Sequence, residues 1–276
     1  VDVMPNTAYT AFDAFDPSEM VVTAHYENGD TKQVAPGDLS LTVDQGSINR
    51  LVVASTTVTV SYSDGDVTKS TTVTIEVSPL AVTAPTAVAD LVYNGEAQTG
   101  VENAEHYTLT GNTAVDAGDY TATATLTDKA NTVWSTGGTD NVTIPWTIAQ
   151  MTLDGTVSAD SLEYDGTQKS AQFVTSQGEL FGGDEVGMQY FGDRTNVTVD
   201  GFTATAQLPS DNYKWATDAP SESFAVTPKS VVIDVTAALS KTYDGQAVDP
   251  AALFPAPDGV DGQPLALTAT VDGGEE

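Results

Sequence analysis

The sequence contains no cysteine. Disulfide staples, thiolate metal sites and thiol catalysis are therefore excluded, although no compartment follows from that alone. Bases are almost as scarce. Seven lysines and two arginines stand against 39 acids, for a net charge of −30. The excess is spread along the chain, with net charges of −8, −7, −9 and −6 over residues 1–79, 80–150, 151–228 and 229–276. A nucleic-acid backbone or an anionic membrane surface would be repelled by such a field, so neither is an expected partner. The plain role of the charge is solubility and mutual repulsion of neighbouring units. No apolar run approaches the ~20 residues of a membrane helix, so no membrane insertion is expected. No signal peptide is visible at Val1. The chain starts and stops inside patterned sequence and reads as a monomeric fragment of something longer.

Only two histidines occur, His25 and His106, in different patterned runs. Neither is accompanied by a G-x-S-x-G elbow, an H-E-x-x-H helix or a G-x-x-x-x-G-K-[ST] loop. Carboxylate pairs abound by chance among so many acids and single out no glycosidase site. The expectation is a non-catalytic protein.

Thr, Val, Tyr, Gly and Asp dominate what is present, and period-two alternation recurs. It is plain in TTVTVSYS (56–63), TTVTIEV (71–77), YTATATL (120–126), FTATAQL (202–208) and ALTATV (266–271). Alternation of this kind marks strands with one buried and one wet face, so the fold class is all-β. In residues 1–79, MVVTAHYE and DTKQVA flank Asn28-Gly29, and VTVSYS and DVTK flank Asp64-Gly65. Both read as hairpins with primed turns. The expected core is Phe12, Phe15, Met20, Val22, Tyr26, Leu39, Leu41, Val58, Val60, Tyr62, Val73, Ile75 and Val77, in a small sandwich. His25 falls on the wet face of the first hairpin.

The stretch AFDAFDPSEMVVTAHYENGDTK, followed by TTVTVSYSDGDVTKSTTVTIEV, resembles the bacterial immunoglobulin-like repeats of surface proteins. It keeps the F-D-P opening (Phe15, Asp16, Pro17), then Met20, Val21, Val22, Ala24, Tyr26, Asn28, Gly29 and Thr31.

Beyond residue 80 the chain aligns on itself. Tyr93-Asn94-Gly95 corresponds to Tyr164-Asp165-Gly166 and to Tyr243-Asp244-Gly245. YTATATL corresponds to FTATAQL, NTVW ending at Trp134 to NYKW ending at Trp215, and IPWTI (144–148) to SFAVT (223–227). Four landmarks in one order are a strong repeat signal. The third copy stops at Glu276, before its later landmarks. These units resemble the Tyr-Asx-Gly repeats called MBG domains. The resemblance implies mostly-β modules, sandwich or β-grasp-like, in large secreted and wall-attached bacterial proteins, many described as adhesins.

The predicted organisation is thus a tandem array. A bacterial Ig-like domain at 1–79 precedes repeat modules at 80–150 and 151–228 and a partial module at 229–276. Each Tyr-Asx-Gly should end a strand and leave through a tight turn, the ring covering the core and fixing register. Trp134 and Trp215 are buried aromatics on the plain reading and ligand platforms on the sharper one; Trp146, alternating with Ile144 and Ile148, is core. Asp64, Asp66, Asp116 and Asp119 mark acidic turns that offer oxygen ligands to Ca²⁺, although no full calcium loop is present. No other cofactor is expected. The lysines (Lys32, Lys69, Lys129, Lys169, Lys214, Lys229 and Lys241) mostly sit in polar turns, so surface positions are expected rather than isopeptide crosslinks. The function these features point to is a non-catalytic stalk or spacer of an adhesin-like protein at the bacterial cell surface or wall. The alternative is a module binding host glycan or protein through exposed aromatics of one repeat.

Overall fold

The computed structural model describes residues 1–2, 6–231, 245–246 and 259–260. Tyr243 and Asp244, the ALTATV run and the body of the third copy lie outside the described residues; of its motif only Gly245 is described, with φ +73°. Among the described residues the regular structure is β, apart from a 3-10 turn at Pro36–Asp38 and 3-10 geometry at Val260. The expected all-β class is what is found, and no helix is available there to lie across a sheet as in a grasp.

The first part holds seven strands: β1 (Ala8–Thr10), β2 (Val22–His25), β3 (Thr31–Val34), β4 (Leu39–Val43), β5 (Thr57–Asp64), β6 (Val67–Thr74) and β7 (Glu76–Ser78). They form a β2-β3 hairpin, a β4-β5-β6 sheet and a parallel β1-β7 pair. The alternation predicted for TTVTVSYS and TTVTIEV is realised, since Val58, Val60, Val73, Ile75 and Val77 are buried, although within β6 itself Val73 alone is buried and the rest is exposed. Their core also takes Tyr9, Ala11 and Leu51, which no alternating run announces. Each large apolar chain so buried contributes about 2 kcal/mol. Tyr26 departs from expectation. It is 36% exposed, because it stands past the end of β2 where the core has run out. Phe12 is only partly buried and packs on the outside of the cluster. The F-D-P opening has a local cause. The Asp16 carboxylate accepts the Ser18 N–H at 2.9 Å, and that bond holds its pKa below the ordinary value.

Both hairpins form, with turns set by glycine. At Asp64-Gly65-Asp66-Val67 the loop has two residues and Gly65 takes φ +59°, the primed geometry expected of it. At the first hairpin only Gly29 is left-handed (φ +87°). Gly29 N–H donates to Tyr26 O and Asn28 Oδ1 accepts Asp30 N–H, so the loop is longer than a two-residue primed turn.

The first repeat contains β8 (Leu80–Val82), β9 (Gln98–Thr99), β10 (Tyr107–Thr110), β11 (Thr113–Ala114), β12 (Gly118–Leu126), β13 (Thr132–Trp134) and β14 (Val142–Ile148). Its main sheet runs β10-β12-β14, and β8 pairs in parallel with β13. Ala122, Ala124 and Leu126 of the YTATATL strand are buried. Pro145 is tolerated because β14 is an edge of this sheet.

The second repeat contains β15 (Met151–Ser158), β16 (Gln172–Gln177), β17 (Gly187–Gly192), β18 (Phe202–Gln207), β19 (Tyr213–Trp215) and β20 (Ser221–Phe224). It reproduces the plan. A β17-β18-β20 sheet is centred on FTATAQ, and β15 pairs in parallel with β19 as β8 does with β13. Even single bonds recur: Leu80 N–H to Asn131 O matches Met151 N–H to Asn212 O, and Ser135 N–H to Val82 O matches Ala216 N–H to Leu153 O. β16 adds an antiparallel partner to β15, where the first repeat has one bridge, Ala87 to Val101.

By contact the chain divides into two compact units, Val1–Ala149 and Gln150–Glu276. The first unit therefore joins the seven-stranded part to the first repeat. At that joint Val53 N–H donates to Asn131 Oδ1 at 2.9 Å. Phe12 stacks on His106 with centroids 5.4 Å apart and planes within 4°, and Arg50 Cζ lies 3.8 Å from the Phe12 ring centre. Phe12 and His106 both hold positive φ (78° and 72°), a cost the joint must offset.

Candidate functional site

The repeated corner is the first candidate. In the first repeat Tyr93 N–H donates to Ala149 O and Ala149 N–H donates to Leu91 O; in the second, Tyr164 N–H donates to Thr227 O and Thr227 N–H to Leu162 O. Each tyrosine thus pins a residue just past its module's closing strand, one position after β14 and three after β20, and the ladder there is a single parallel bridge, Val92 to Ala149 or Glu163 to Thr227. This corrects the expectation of a regular strand ahead of the motif. It also shifts the sequence alignment by one: IPWTIA (144–149) matches ESFAVT (222–227), so Trp146 is equivalent to Phe224 and Ile148 to Val226. The strand pairs agree, since Tyr120 faces Trp146 and Phe202 faces Phe224.

The Asx-Gly turn works as chemistry suggests. Asn94 Oδ1 accepts Glu96 N–H at 3.0 Å, and Asp165 Oδ1 accepts Thr167 N–H at 2.9 Å. Gly95 and Gly166 take φ +77° and +81°. Tyr93 is buried and Tyr164 half-buried against its repeat's core. The second corner carries a charge pair the first lacks. Lys169, 5% exposed, places Nζ 2.8 Å from Asp165 Oδ2, and this pairing holds the Asp165 carboxyl well below the usual range. Surface positions were expected for the lysines; Lys169 is the buried exception among the described residues. Its counterpart in the first repeat is the neutral Gln98, whose Nε2 donates to Val92 O at 3.0 Å.

The tryptophans are packed. Trp134 is 2% exposed and its Nε1 donates to Asp140 O at 2.7 Å. A ligand cannot reach that ring. Trp215 is half-buried, its ring 5.4 Å from Phe173. Trp146 is core, 3% exposed, with Nε1 donating to Gly111 O.

Two of the four candidate carboxylates are already hydrogen-bonded within the protein. Asp64 Oδ2 accepts the Tyr26 hydroxyl at 2.6 Å, and Asp119 Oδ1 accepts Thr147 Oγ1 at 2.7 Å. Asp116 offers its backbone carbonyl to Tyr120, and Asp66 is the second residue of the Gly65 turn. Among the described residues no three His, Asp or Glu side chains gather where they could hold a metal ion. Also among these residues, no helix is long and apolar enough to cross a membrane. His25 is exposed as expected, and His106 belongs to the joint with Phe12.

One cavity was not anticipated as a site. It lies in the first part, with a volume of about 670 Å³, between residues 22–27 on and just after β2 and residues 67–71 of β6. Val22, Val34, Leu39 and Val60 form its apolar lining, with Tyr26, Tyr62 and Asp64 among the polar-tipped groups. The two hairpins carry the same Tyr-x-Asx-Gly ending, Tyr26 to Gly29 and Tyr62 to Gly65, and that was the available signal. Tyr26 donates to Asp64, and the bond pushes the phenol pKa well above its ordinary value. Lys32 Nζ donates to Tyr62 Oη at 2.8 Å, which raises the lysine pKa.

Residues 4–77 match the family model described as bacterial Ig-like domain (group 3). A solved structure entitled surface layer protein SbsC, domains 4-9, is 14% identical with a TM-score of 0.21. The alignment covers 82% of this chain and 47% of that one, so the chain spans about half of its length. No curated protein matches.

Proposed function

We propose that the chain is a non-catalytic structural segment of a bacterial cell-surface protein, a spacer built from one Ig-like domain and MBG-type repeats. The observation that carries this reading is the recurrence of one hydrogen-bonded plan in two successive repeats. A unit written twice with its core and corner intact is an architectural part, and chemistry is normally written once. The Ig-like match over residues 4–77 supports a surface setting, outside the cell or on its wall. The even acidic charge keeps neighbouring modules apart. The joint of Phe12, His106, Val53 and Asn131 suits a spacer, because it limits slack between consecutive modules. No cofactor and no nucleic-acid partner enters this reading, and an adhesin role falls to other regions of the parent protein.

The test is small-angle X-ray scattering on the whole chain. A stalk of modules requires a radius of gyration well above that of a single globule, for which ~2.2·N^0.38 Å is the yardstick. A value on that yardstick sinks the spacer reading.

A further inference from the structure

The groove of the first part is bounded by two strand edges that hold no partner along its walls among the described residues. β2 pairs only with β3, and β6 pairs only with β5. β6 keeps register with β5 from Thr74 to Val67 without a bulge, and no proline interrupts it. A long flat edge is a template for another strand unless it is blunted, and here a lone charge, Lys69, is the blunting device. Val67, at the mouth, is 59% exposed. The neighbouring edge already serves as an acceptor at its lower end, where Asp2 N–H donates to Val21 O at 2.8 Å. Beneath the edges, Val22, Val34, Leu39 and Val60 provide an aliphatic floor. Such a floor fits small branched side chains. Tyr26 and Tyr62 are each tied by the hydroxyl to another side chain. Glu27 and Asp64 line the groove and Asp66 adjoins it, against the cations Lys69 in the lining and Lys32 on Tyr62, in a segment of net charge −8.

We propose that this groove receives an extended peptide segment of another protein, added as a strand to the free edge of β6. Its alternate side chains are small and apolar and enter the groove, and its flanks are basic. Backbone hydrogen bonds to the edge supply affinity, the floor selects side chains at every second position, and the acidic rim selects charge. The site is independent of the spacer reading, since a spacer without a ligand and a ligand-binding Ig-like domain without a stalk are both physically possible.

The experiment uses the whole chain, labelled for amide NMR. The probe is an acetylated, amidated peptide Lys-Thr-Val-Thr-Val-Thr-Val-Lys, raised to about millimolar as befits a weak single-strand addition. Expected are shifts confined to amides of β2, β5 and β6, an affinity roughly tenfold lower for Val67→Lys, and loss of binding when the central valine of the peptide is replaced by proline. The exposed Val67 makes its substitution safe for folding, and an unchanged amide spectrum away from β6 verifies that. The proposal is overturned by any of four results: no shifts in these strands, equal binding of the proline peptide, Val67→Lys without effect, or groove shifts with cellohexaose and none with the peptide.

Discussion

The two repeats share a plan and differ in what fills it. The first closes its corner with neutral groups, Asn94 and Gln98; the equivalent positions of the second are Asp165 and Lys169, an ion pair with the lysine buried. Both members change together, so neither corner leaves a lone charge. The cores trade in the same way. Trp146 in the first lies over Gly100, where an added Cβ would run into the indole; the second has the smaller Phe224, and the position matching Gly100 is Ala171. One backbone thus accommodates two solutions, provided that volume and charge are balanced locally.

The largest expected effect that tests this comparison is Trp146→Ala. Its ring is 3% exposed, so truncation should cost about 3–5 kcal/mol in the first repeat. Phe224→Ala, on a half-buried ring, should cost clearly less. Amide hydrogen exchange read separately for each repeat gives both values, and an equal cost would undo the equivalence of the two rings. Next comes Gly100→Ala, which forces the methyl into Trp146 and should destabilise the first repeat by about 1–3 kcal/mol. The reverse change, Ala171→Gly, should cost about 1 kcal/mol or less. A harmless Gly100→Ala would mean the indole is free to move aside.

The corner can be rewritten. Asp165→Asn alone strands a buried ammonium and should lower the denaturation midpoint of the second repeat, whereas Asp165→Asn with Lys169→Gln copies the first corner and should recover most of the loss. A double variant no better than the single one would show that the pair is not the unit of exchange. Acid should separate the repeats more gently. Asp165 has its folded pKa depressed below 3.8 by Lys169, then by Thr167, so its contribution is present above that value and is lost as pH falls through the lower folded one. Asn94 does not titrate. The second repeat should therefore lose exchange protection first below pH 3.8. In the Ig-like part, Asp44, held at about 2 by Thr56 and Thr57, should add its own loss between 3.8 and about 2, and Asp44→Asn should remove that slope. Acid unfolding that is indifferent to these carboxylates would contradict the assignment.

Much of this was legible before any coordinates. Alternation placed β5, β6, β12 and β18, because a strand with one buried face must write its core at every second residue. Asx-Gly placed the turns, because glycine alone among the motif residues takes positive φ there. The repeat was visible because the same core had been written twice. Lys169 was misjudged, since a charged residue in a polar stretch reads as surface until its partner is known to lie four residues back. The one-residue shift of IPWTI against SFAVT was hidden because both frames keep some apolar matches, and only the bonds to Ala149 and Thr227 choose between them.

Composition and period by themselves determined the all-β class, the recurrence of one pattern after residue 80 and the absence of familiar catalytic motifs, since these follow from local preferences repeated along the chain. Tertiary structure decided what faces what. It put Trp134 out of reach, made Leu51 and Tyr9 core, stacked Phe12 on His106, and left β2 and β6 facing each other across an open groove. Those outcomes depend on contacts between residues distant in sequence, and on which edges remain unpaired once the sheets are assembled. No local pattern encodes them.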